Sequence, residues 1–164
     1  MSLLVYREQL LKMYKDQSPA SQYNRWFNKT ATYYGENQID KEKSIDLAKK
    51  LQASVKQCFG NSARAMMSGH NLRYCEGFVN WHGIPIEHAF CIDENDKVID
   101  LTFGIDPKIR NKRAKKYNIK LNETEQEFGS EYVGVIIPKN IVLDILIEDK
   151  VYSPMAFQYW RQSK

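Results

Sequence analysis

The chain has 164 residues, of which 43% are hydrophobic, and a formal net charge of +4 at pH 7. This length predicts a single domain over residues 1–164, and no apolar run approaches the roughly 20 residues that span a membrane. The N-terminus lacks the apolar stretch of a signal peptide, and three cysteines form no disulfide framework. We therefore expect a soluble, cytoplasmic protein without a membrane partner. The small positive charge does not by itself indicate a nucleic-acid partner.

The first half of the chain has helical patterns. Four segments carry apolar residues at helical spacing: 5–16, 19–34, 41–56 and 58–68. Ser18 before Pro19 and Asp40 before an acidic first turn are typical helix starts, and Gly69 is a typical helix end. These patterns predict an N-terminal helical extension over residues 1–39, followed by helices that belong to the core of the domain.

The second half is dominated by extended patterns. Four apolar runs bounded by turn residues predict strands: 72–80, 84–93, 97–102 and 131–137. His82-Gly83 and residues 93–96 are turn signals that join the first three strands into a meander. Residues 138–150 predict a short helix, either alone or followed by a strand. Helices followed by a meander indicate an α+β fold, with its core over residues 40–137.

Three residues with complementary chemistry follow one another in this core. Cys58 lies at the predicted start of a helix, where the helix dipole and the unpaired N–H groups favour a thiolate. His88 lies in the second predicted strand and Asp100 in the third, so their side chains could face each other. A nucleophilic thiol needs a base, and the base needs a partner that orients its ring. The order and spacing predict a Cys-His-Asp catalytic triad.

Each of these residues also has a purely structural interpretation. Cys58 fits a small buried residue at a helix start, because free cysteines are commonly buried. His88 would share a strand face with Ile86 and Phe90, as a core histidine does. A buried imidazole needs a hydrogen-bond partner, and an aspartate in an apolar run is costly unless it is paired. His88 and Asp100 would satisfy each other in either interpretation.

Four further polar residues are candidates for lining the site or holding an oxyanion: Gln52, Gln57, Asn61 and Glu76. Gln52, six residues before the cysteine, could donate a side-chain N–H to an oxyanion, with Gln57 as the alternative donor. The structural interpretation of Gln52 is that it is an ordinary exposed residue of a helix. Asn61 either lines a pocket or bonds to backbone, and Glu76 is either an edge residue or a buried group near the site.

Other chemistries have weaker signals. A metal site could draw on Cys75, His82, His88 and Cys91, but their spacing matches no usual zinc pattern, so we expect no metal and no cofactor. Cys75 and Cys91 are interpreted as core residues. A serine-nucleophile turn and a phosphate-binding glycine loop are both absent. The basic run in residues 108–120 precedes an acidic run and predicts a solvated surface, with nucleic-acid contact as the minority interpretation.

Short motifs in order resemble the transglutaminase-like branch of the papain-type cysteine enzymes. Four blocks carry the resemblance: Cys58-Phe59-Gly60-Asn61-Ser62-Ala63, Leu72-Arg73-Tyr74-Cys75-Glu76-Gly77-Phe78-Val79, His88-Ala89-Phe90 and Val98-Ile99-Asp100-Leu101-Thr102. The resemblance covers about residues 52–104, with an extension through 132–135, and small bacterial and phage proteins of this arrangement are also similar. Phe90 stands where the family usually has tryptophan, and Leu101 departs from a motif in which a proline often follows.

The resemblance implies both a fold and a set of roles. The implied papain/transglutaminase-like fold has N-terminal helices and places the cysteine at a helix N-terminus, packed against an antiparallel sheet that carries the histidine and the aspartate. The implied roles are Cys58 as nucleophile, His88 as base and then acid, and Asp100 as the group that orients the ring. Substrate is not implied, because the superfamily contains many activities and members without catalysis.

Two functional hypotheses follow. The leading one is a cysteine hydrolase or acyltransferase that acts on an amide or thioester, of protease, amidase, deamidase or transglutaminase type, with a protein or peptide substrate. The alternative is a non-catalytic adaptor or inhibitor on the same scaffold. That module would meet its partner through the aromatic N-terminal helices and residues 108–120, with nucleic acid as a further contact of the basic run.

Overall fold

A computed structural model of the protein describes residues 1–115 and 127–164. These residues form seven α-helices: α1 (Leu3–Met13), α2 (Pro19–Thr30), α3 (Lys41–Lys50), α4 (Cys58–Met67), α5 (Pro107–Lys115), α6 (Lys139–Asp149) and α7 (Ala156–Gln162). They also form five strands: β1 (Thr32–Tyr34), β2 (Arg73–Trp81), β3 (Ile84–Ile92), β4 (Val98–Ile99) and β5 (Glu131–Ile136). All strand pairs in the sheet are antiparallel, in the order β1-β5-β2-β3-β4, which confirms the α+β class.

The predicted helix starts after Ser18 and Asp40 are confirmed by their caps, whereas three predicted helix ends are wrong. The first helix spans Leu3–Met13 and not residues 5–16. The Ser18 hydroxyl accepts a hydrogen bond from the Ser21 N–H, and Asp40 accepts one from the Lys43 N–H. Helix α2 ends at Thr30 and α3 at Lys50, both earlier than predicted. Residues 32–34 instead pair with β5, because a long-range strand ladder overrides the local helical pattern there.

The predicted meander is present as β2, β3 and β4, but its third strand is shorter than the run of residues 97–102. Only Val98 and Ile99 pair with β3. Asp100 follows the strand and begins a turn in which its own Oδ1 accepts the N–H groups of Thr102 and Phe103, at 2.9 and 3.1 Å. An aspartate that binds the backbone two residues ahead favours a turn over a strand.

The two faces of the sheet carry different sets of side chains. Side chains alternate along each strand, so His88 shares one face with Phe90 and, on β5, with Tyr132. The opposite face carries Tyr74 and Ala89, against which α4, α6 and α7 pack. Cys75 lies with the first face and Cys91 with the second, and both thiols are fully buried. Their interpretation as core residues is confirmed.

Glu76 holds the C-terminal helix on the sheet. Its carboxylate accepts hydrogen bonds from the Tyr74 hydroxyl at 2.5 Å and from the backbone N–H groups of Met155 and Ala156 at 2.8 and 2.7 Å. Burial raises the pKa of Glu76 to about 7, against the lowering effect of these bonds. The sequence pattern did not predict α7, because its start is defined by a carboxylate 79 residues away.

Two sequence interpretations concern the surface of the molecule. Within residues 1–115 and 127–164, no helix combines the length and the apolar character needed to cross a membrane. The basic run of residues 108–120 begins in α5, and its part beyond Lys115 lies outside the described residues. Its interpretation as a solvated or nucleic-acid-binding segment therefore stays a prediction.

We predict that Glu76→Gln destabilises the protein by about 1–3 kcal/mol, because an amide keeps the shape but presents N–H donors to groups that are themselves donors. The free energy of unfolding should be measured in urea with Trp160, on α7, as a fluorescent reporter. Glu87→Gln on β3 is the matched control, since Glu87 is exposed, and it should change stability by less than about 0.5 kcal/mol. Equal stability of the two variants would contradict the assigned role of Glu76.

Candidate active site

Cys58 is the first residue of α4 and is half-buried. The preceding residue, Gln57, caps the helix without a side-chain hydrogen bond, and the first intrahelical bond runs from the Asn61 N–H to the Gln57 carbonyl at 2.7 Å. The N–H groups of the first turn therefore have no side-chain cap. The thiol thus lies at the N-terminus of α4, beside first-turn N–H groups that no described side chain caps.

His88 connects the thiol to a buried carboxylate. Its Nε2 lies 2.7 Å from Asp100 Oδ2, and the two residues are 4% and 0% exposed. The Cys58 side chain lies beside the imidazole, where it contributes to the raised pKa of His88, and both residues line the same cavity. Because Nε2 faces the carboxylate, Nδ1 is the ring nitrogen left for the thiol. The structure therefore pairs His88 with Asp100 and places Cys58 at the same cavity as His88.

Asp100 is held by donors from several elements. Besides His88, its Oδ2 accepts the Tyr132 hydroxyl at 2.9 Å, while Oδ1 accepts the two turn N–H groups described above. Its backbone N–H donates to the Ser44 hydroxyl on α3 at 2.9 Å. The described hydrogen-bond partners of the carboxylate include the Tyr132 hydroxyl and two backbone N–H groups, all of which are donors. The orientation of the histidine ring is thus set by strand β5 and helix α3 together.

The charge balance favours a protonated imidazole. Burial alone would lower the pKa of His88, but the Asp100 charge, the hydrogen bond to Asp100 and the contact with Cys58 raise it to about 10. Burial, followed by the Asp100 charge, also raises the pKa of Tyr132 well above its usual value, so its hydroxyl stays a donor. At neutral pH the site can therefore hold an imidazolium next to the thiol, the state in which a thiolate is stabilised.

The thiol and the imidazole open onto one cavity of about 690 Å³. Its other lining residues are Val55, Lys56, Val79, Trp81, His82, Ile86, Glu87, Thr102, Phe103, Arg110 and Glu127. The His82 Nε2 and Glu127 Oε2 are hydrogen-bonded at 3.1 Å, and the Trp81 ring packs against His82. Trp81 Nε1 is buried and has no hydrogen-bond partner among the described residues.

The predicted oxyanion donors do not line this cavity. Gln52 is exposed in a turn after α3, where its φ of 50° redirects the chain. Gln57 is exposed and lines a separate, smaller pocket with Ser54 and Arg64. The role of either amide as an oxyanion donor therefore stays a prediction, and neither residue is among those that line the cavity beside Cys58.

Asn61 and Glu76 have supporting positions outside the cavity. Asn61 pairs with both backbone groups of Ser54, at 2.9 and 2.8 Å, and donates to the Thr102 hydroxyl at 3.0 Å. It thus ties the loop before Cys58 and the turn after Asp100 to α4, which is the backbone-bonding alternative of the prediction. Glu76 lies on the face of the sheet opposite to His88, so it is a buried group but not a member of the site.

Sequence reasoning missed Tyr132 and Ser44, which hold Asp100. Tyr132 stands 32 residues from its partner and Ser44 stands 56, so no local pattern links them. The turn after Asp100 did have a local signal, because aspartate often binds the N–H two residues ahead. A buried tyrosine hydroxyl also requires a partner, but the sequence does not say which one.

The alternative metal site has no supporting cluster. In the part of the chain that the structure describes, no three His, Cys, Asp or Glu side chains are grouped so that they could hold an ion. Cys91 lies on the face of the sheet opposite to Cys75 and His88, and His82 lies in the β2–β3 turn. Alternation along the strands therefore separates the candidate ligands.

Comparison with known proteins identifies no relative. No family model matches the chain, and no curated protein and no solved structure matches it. The resemblance to the transglutaminase-like enzymes therefore stays a prediction from short motifs. A fold alone would not define an activity in any case, so the geometry around Cys58 has to support the functional conclusion.

We predict that Asp100→Asn lowers the pKa of His88 from about 10 to below its ordinary value of 6.5, because burial then acts without the opposing charge. In the wild type the raised pKa stabilises the fold fully below pH 6.5, and this contribution is lost as the pH rises through about 10. NMR titration of the imidazole ring protons measures the shift. Asp96→Asn, at an exposed turn, is the control and should leave the titration unchanged. An unchanged titration in Asp100→Asn would contradict the pairing.

Proposed function

We propose that the protein is a cysteine-dependent acyl-transfer enzyme of papain/transglutaminase-like type, with Cys58, His88 and Asp100 as its catalytic triad. The observation that carries the proposal is the Cys58 thiol beside a buried imidazole at one open cavity, with Nε2 of that imidazole 2.7 Å from a buried carboxylate. A purely structural His-Asp pair needs neither a thiol nor an opening. Since a reactive thiol must stay reduced, we further propose a reducing, cytoplasmic location.

The reaction begins with a thiolate–imidazolium pair. The Cys58 sulfur attacks the carbonyl carbon of an amide or thioester and forms a C–S bond, and the carbonyl π electrons move to oxygen. When the tetrahedral intermediate collapses, the bond to the leaving group breaks and His88 donates its proton to the departing nitrogen or sulfur. Water or an amine then attacks the acyl-enzyme while His88 accepts its proton, and the thiolate leaves. Asp100 keeps the ring oriented throughout.

The oxyanion has a backbone site in this proposal. The first-turn N–H groups of α4, including that of Cys58 itself, carry no side-chain cap and lie at the positive end of the helix. This arrangement replaces the glutamine side chains that the sequence suggested. Thr102 is a further cavity residue, and its hydroxyl, which accepts a hydrogen bond from Asn61, keeps its own O–H as a donor.

The adaptor hypothesis receives less support from the aromatic N-terminal residues. Tyr23 packs edge-on against Phe157 and Trp160 of α7, and Phe27 packs against Phe78 of the sheet. These rings are engaged within the molecule, so they are not free to form the partner surface that this hypothesis requires. The non-catalytic module stays an alternative prediction. Measuring the reactivity of the Cys58 thiol distinguishes it from the enzyme.

We predict that iodoacetamide alkylates Cys58 rapidly at about pH 6, and that His88→Ala slows this alkylation at least about tenfold, since the imidazolium stabilises the thiolate. Peptide mass spectrometry separates Cys58 from Cys75 and Cys91, which are fully buried and should react slowly in either case. Exposure alone explains a preference for Cys58, so the effect of His88→Ala is the decisive measurement. His70→Ala, beyond the other end of α4, is the matched control and should not change the rate.

We also predict a Cys58-linked acyl adduct with an activated ester such as p-nitrophenyl acetate, detected by mass spectrometry and by release of p-nitrophenol. His88→Ala should reduce turnover by about 10²–10⁴, because base assistance is lost. Circular dichroism of each variant checks that the fold is kept. A folded His88→Ala protein with wild-type turnover would refute the assigned base, and absence of any Cys58-dependent acylation would refute the enzyme.

A further inference from the structure

The cavity beside Cys58 is lined mainly by apolar surface. Its volume of about 690 Å³ is in the range of about 300–1,000 Å³ that is usual for small-molecule sites. Apolar side chains surround the thiol and the imidazole from several elements: Val55, Val79, Trp81, Ile86 and Phe103. The cavity is thus large enough for an aromatic or branched aliphatic group and does not consist only of the reacting side chains.

The strand register explains why this lining is apolar. His88 and Ile86 lie two residues apart on β3 and therefore share a face. Val79 stands opposite Ile86 and Trp81 opposite Ile84, so apolar side chains continue from the imidazole towards the tip of the hairpin. We call these four residues, Val79, Trp81, Ile84 and Ile86, the hairpin track.

Part of the hairpin track remains exposed. Ile84 is 62% and Ile86 37% exposed, although most large aliphatic side chains of this sheet are buried. Strand β5 pairs with β2 only as far as Asn80, and β4 pairs with β3 only at Cys91 and Ile92. Within the described residues, no strand covers this end of the hairpin on either side, so the apolar side chains next to the site are accessible to a ligand.

The charged residues that line the cavity include both signs, so they do not favour a ligand of one charge. Lys56 and Arg110 are cationic, Glu87 is anionic, and Glu127 is paired with the His82 ring. Both signs therefore occur around an apolar interior. A charged group beside the scissile carbonyl would lose hydration against the apolar part of this lining.

We propose that this cavity holds the acyl side of the substrate, and that the group next to the scissile carbonyl is large and apolar, either aromatic or branched aliphatic. The inference rests on the proposed function and names its substrate class. A short polar side chain, such as that of glutamine, would leave much of the apolar lining without a contact. A large apolar acyl group is present both in a peptide, at an apolar residue, and in a simple acyl thioester. The ester series described next distinguishes these two sources.

The test uses the full chain and a series of p-nitrophenyl esters that share one leaving group: acetyl, succinyl, hexanoyl, phenylacetyl and N-acetylphenylalanyl. Each rate is divided by the rate with a small thiol in solution, which removes intrinsic reactivity. We expect kcat/KM for the phenylacetyl ester to exceed that for acetyl by at least about tenfold, with the charged succinyl ester no better than acetyl. A further increase for N-acetylphenylalanyl indicates a peptide, whereas a preference for hexanoyl indicates a simple acyl chain.

A substitution that fills the cavity checks where the preference arises. Ile86→Trp should lower the ratio of phenylacetyl to acetyl kcat/KM at least about tenfold, because the new ring occupies the space of the large acyl group. Ile147→Trp on α6 is the matched control, since Ile147 is 74% exposed and lines a different groove. It should leave the ratio unchanged. Val55→Trp fills the same cavity from the α3–α4 connection and serves if Ile86→Trp does not fold.

The outcomes distinguish this inference from the proposed function. Cys58-dependent turnover with equal normalised rates for all esters would overturn the apolar site and leave the acyl-transfer enzyme intact. If no ester gives Cys58-dependent turnover, the proposed function fails, and the cavity is tested by binding alone. Quenching of Trp81 fluorescence in Cys58→Ser, with Trp81→Phe as the blank, should then show tighter binding of N-acetylphenylalanine amide than of N-acetylasparagine amide. Equal affinities would overturn the inference.

Discussion

The buried contact between His88 and Asp100 is the interaction around which the rest of the structure is arranged. A carboxylate without any exposed surface is stable only if donors surround it, and here they come from β3, β5 and the turn after β4. The start of α3 holds the same residue by accepting its backbone N–H. The fold must therefore bring four separate segments to one point. This requirement explains why strand β5, far along the chain, is inserted in the sheet next to β2.

The sheet separates two polar systems that look alike in the sequence. On one face, the Asp100 carboxylate is hydrogen-bonded to His88 and Tyr132, and His88 lies beside the thiol. On the other face, the Glu76 carboxylate accepts hydrogen bonds from Tyr74 and from the start of α7, and it holds that helix on the sheet. Both are buried carboxylates with a tyrosine partner, but only Asp100 is connected through a histidine to an open cavity. Position in the sheet, and not residue type, thus distinguishes the candidate catalytic group from the structural one.

Cys58 reaches the site because β4 is short. Strand β4 pairs only with Cys91 and Ile92, the last two residues of β3. The rest of that edge of β3 is therefore not occupied by a strand of the described chain. The N-terminus of α4 can therefore approach His88 there, and Asn61 ties the helix both to the loop that precedes it and to the Asp100 turn. A full-length third strand, as the apolar run of residues 97–102 suggested, would have occupied part of that edge.

Local patterns by themselves determined the helix starts at Ser18 and Asp40, the turn at His82-Gly83 and the strands on either side of it, because caps and turns involve residues only a few positions apart. They also predicted that Cys58, His88 and Asp100 belong together, since unpaired polar groups in apolar runs require partners. Only the tertiary structure decided that β1 is a strand, that Gln52 and Gln57 do not line the cavity beside Cys58, and that Tyr132 and Ser44 hold Asp100. Those outcomes depend on contacts between residues far apart in the chain, which no spacing rule in a single sequence encodes.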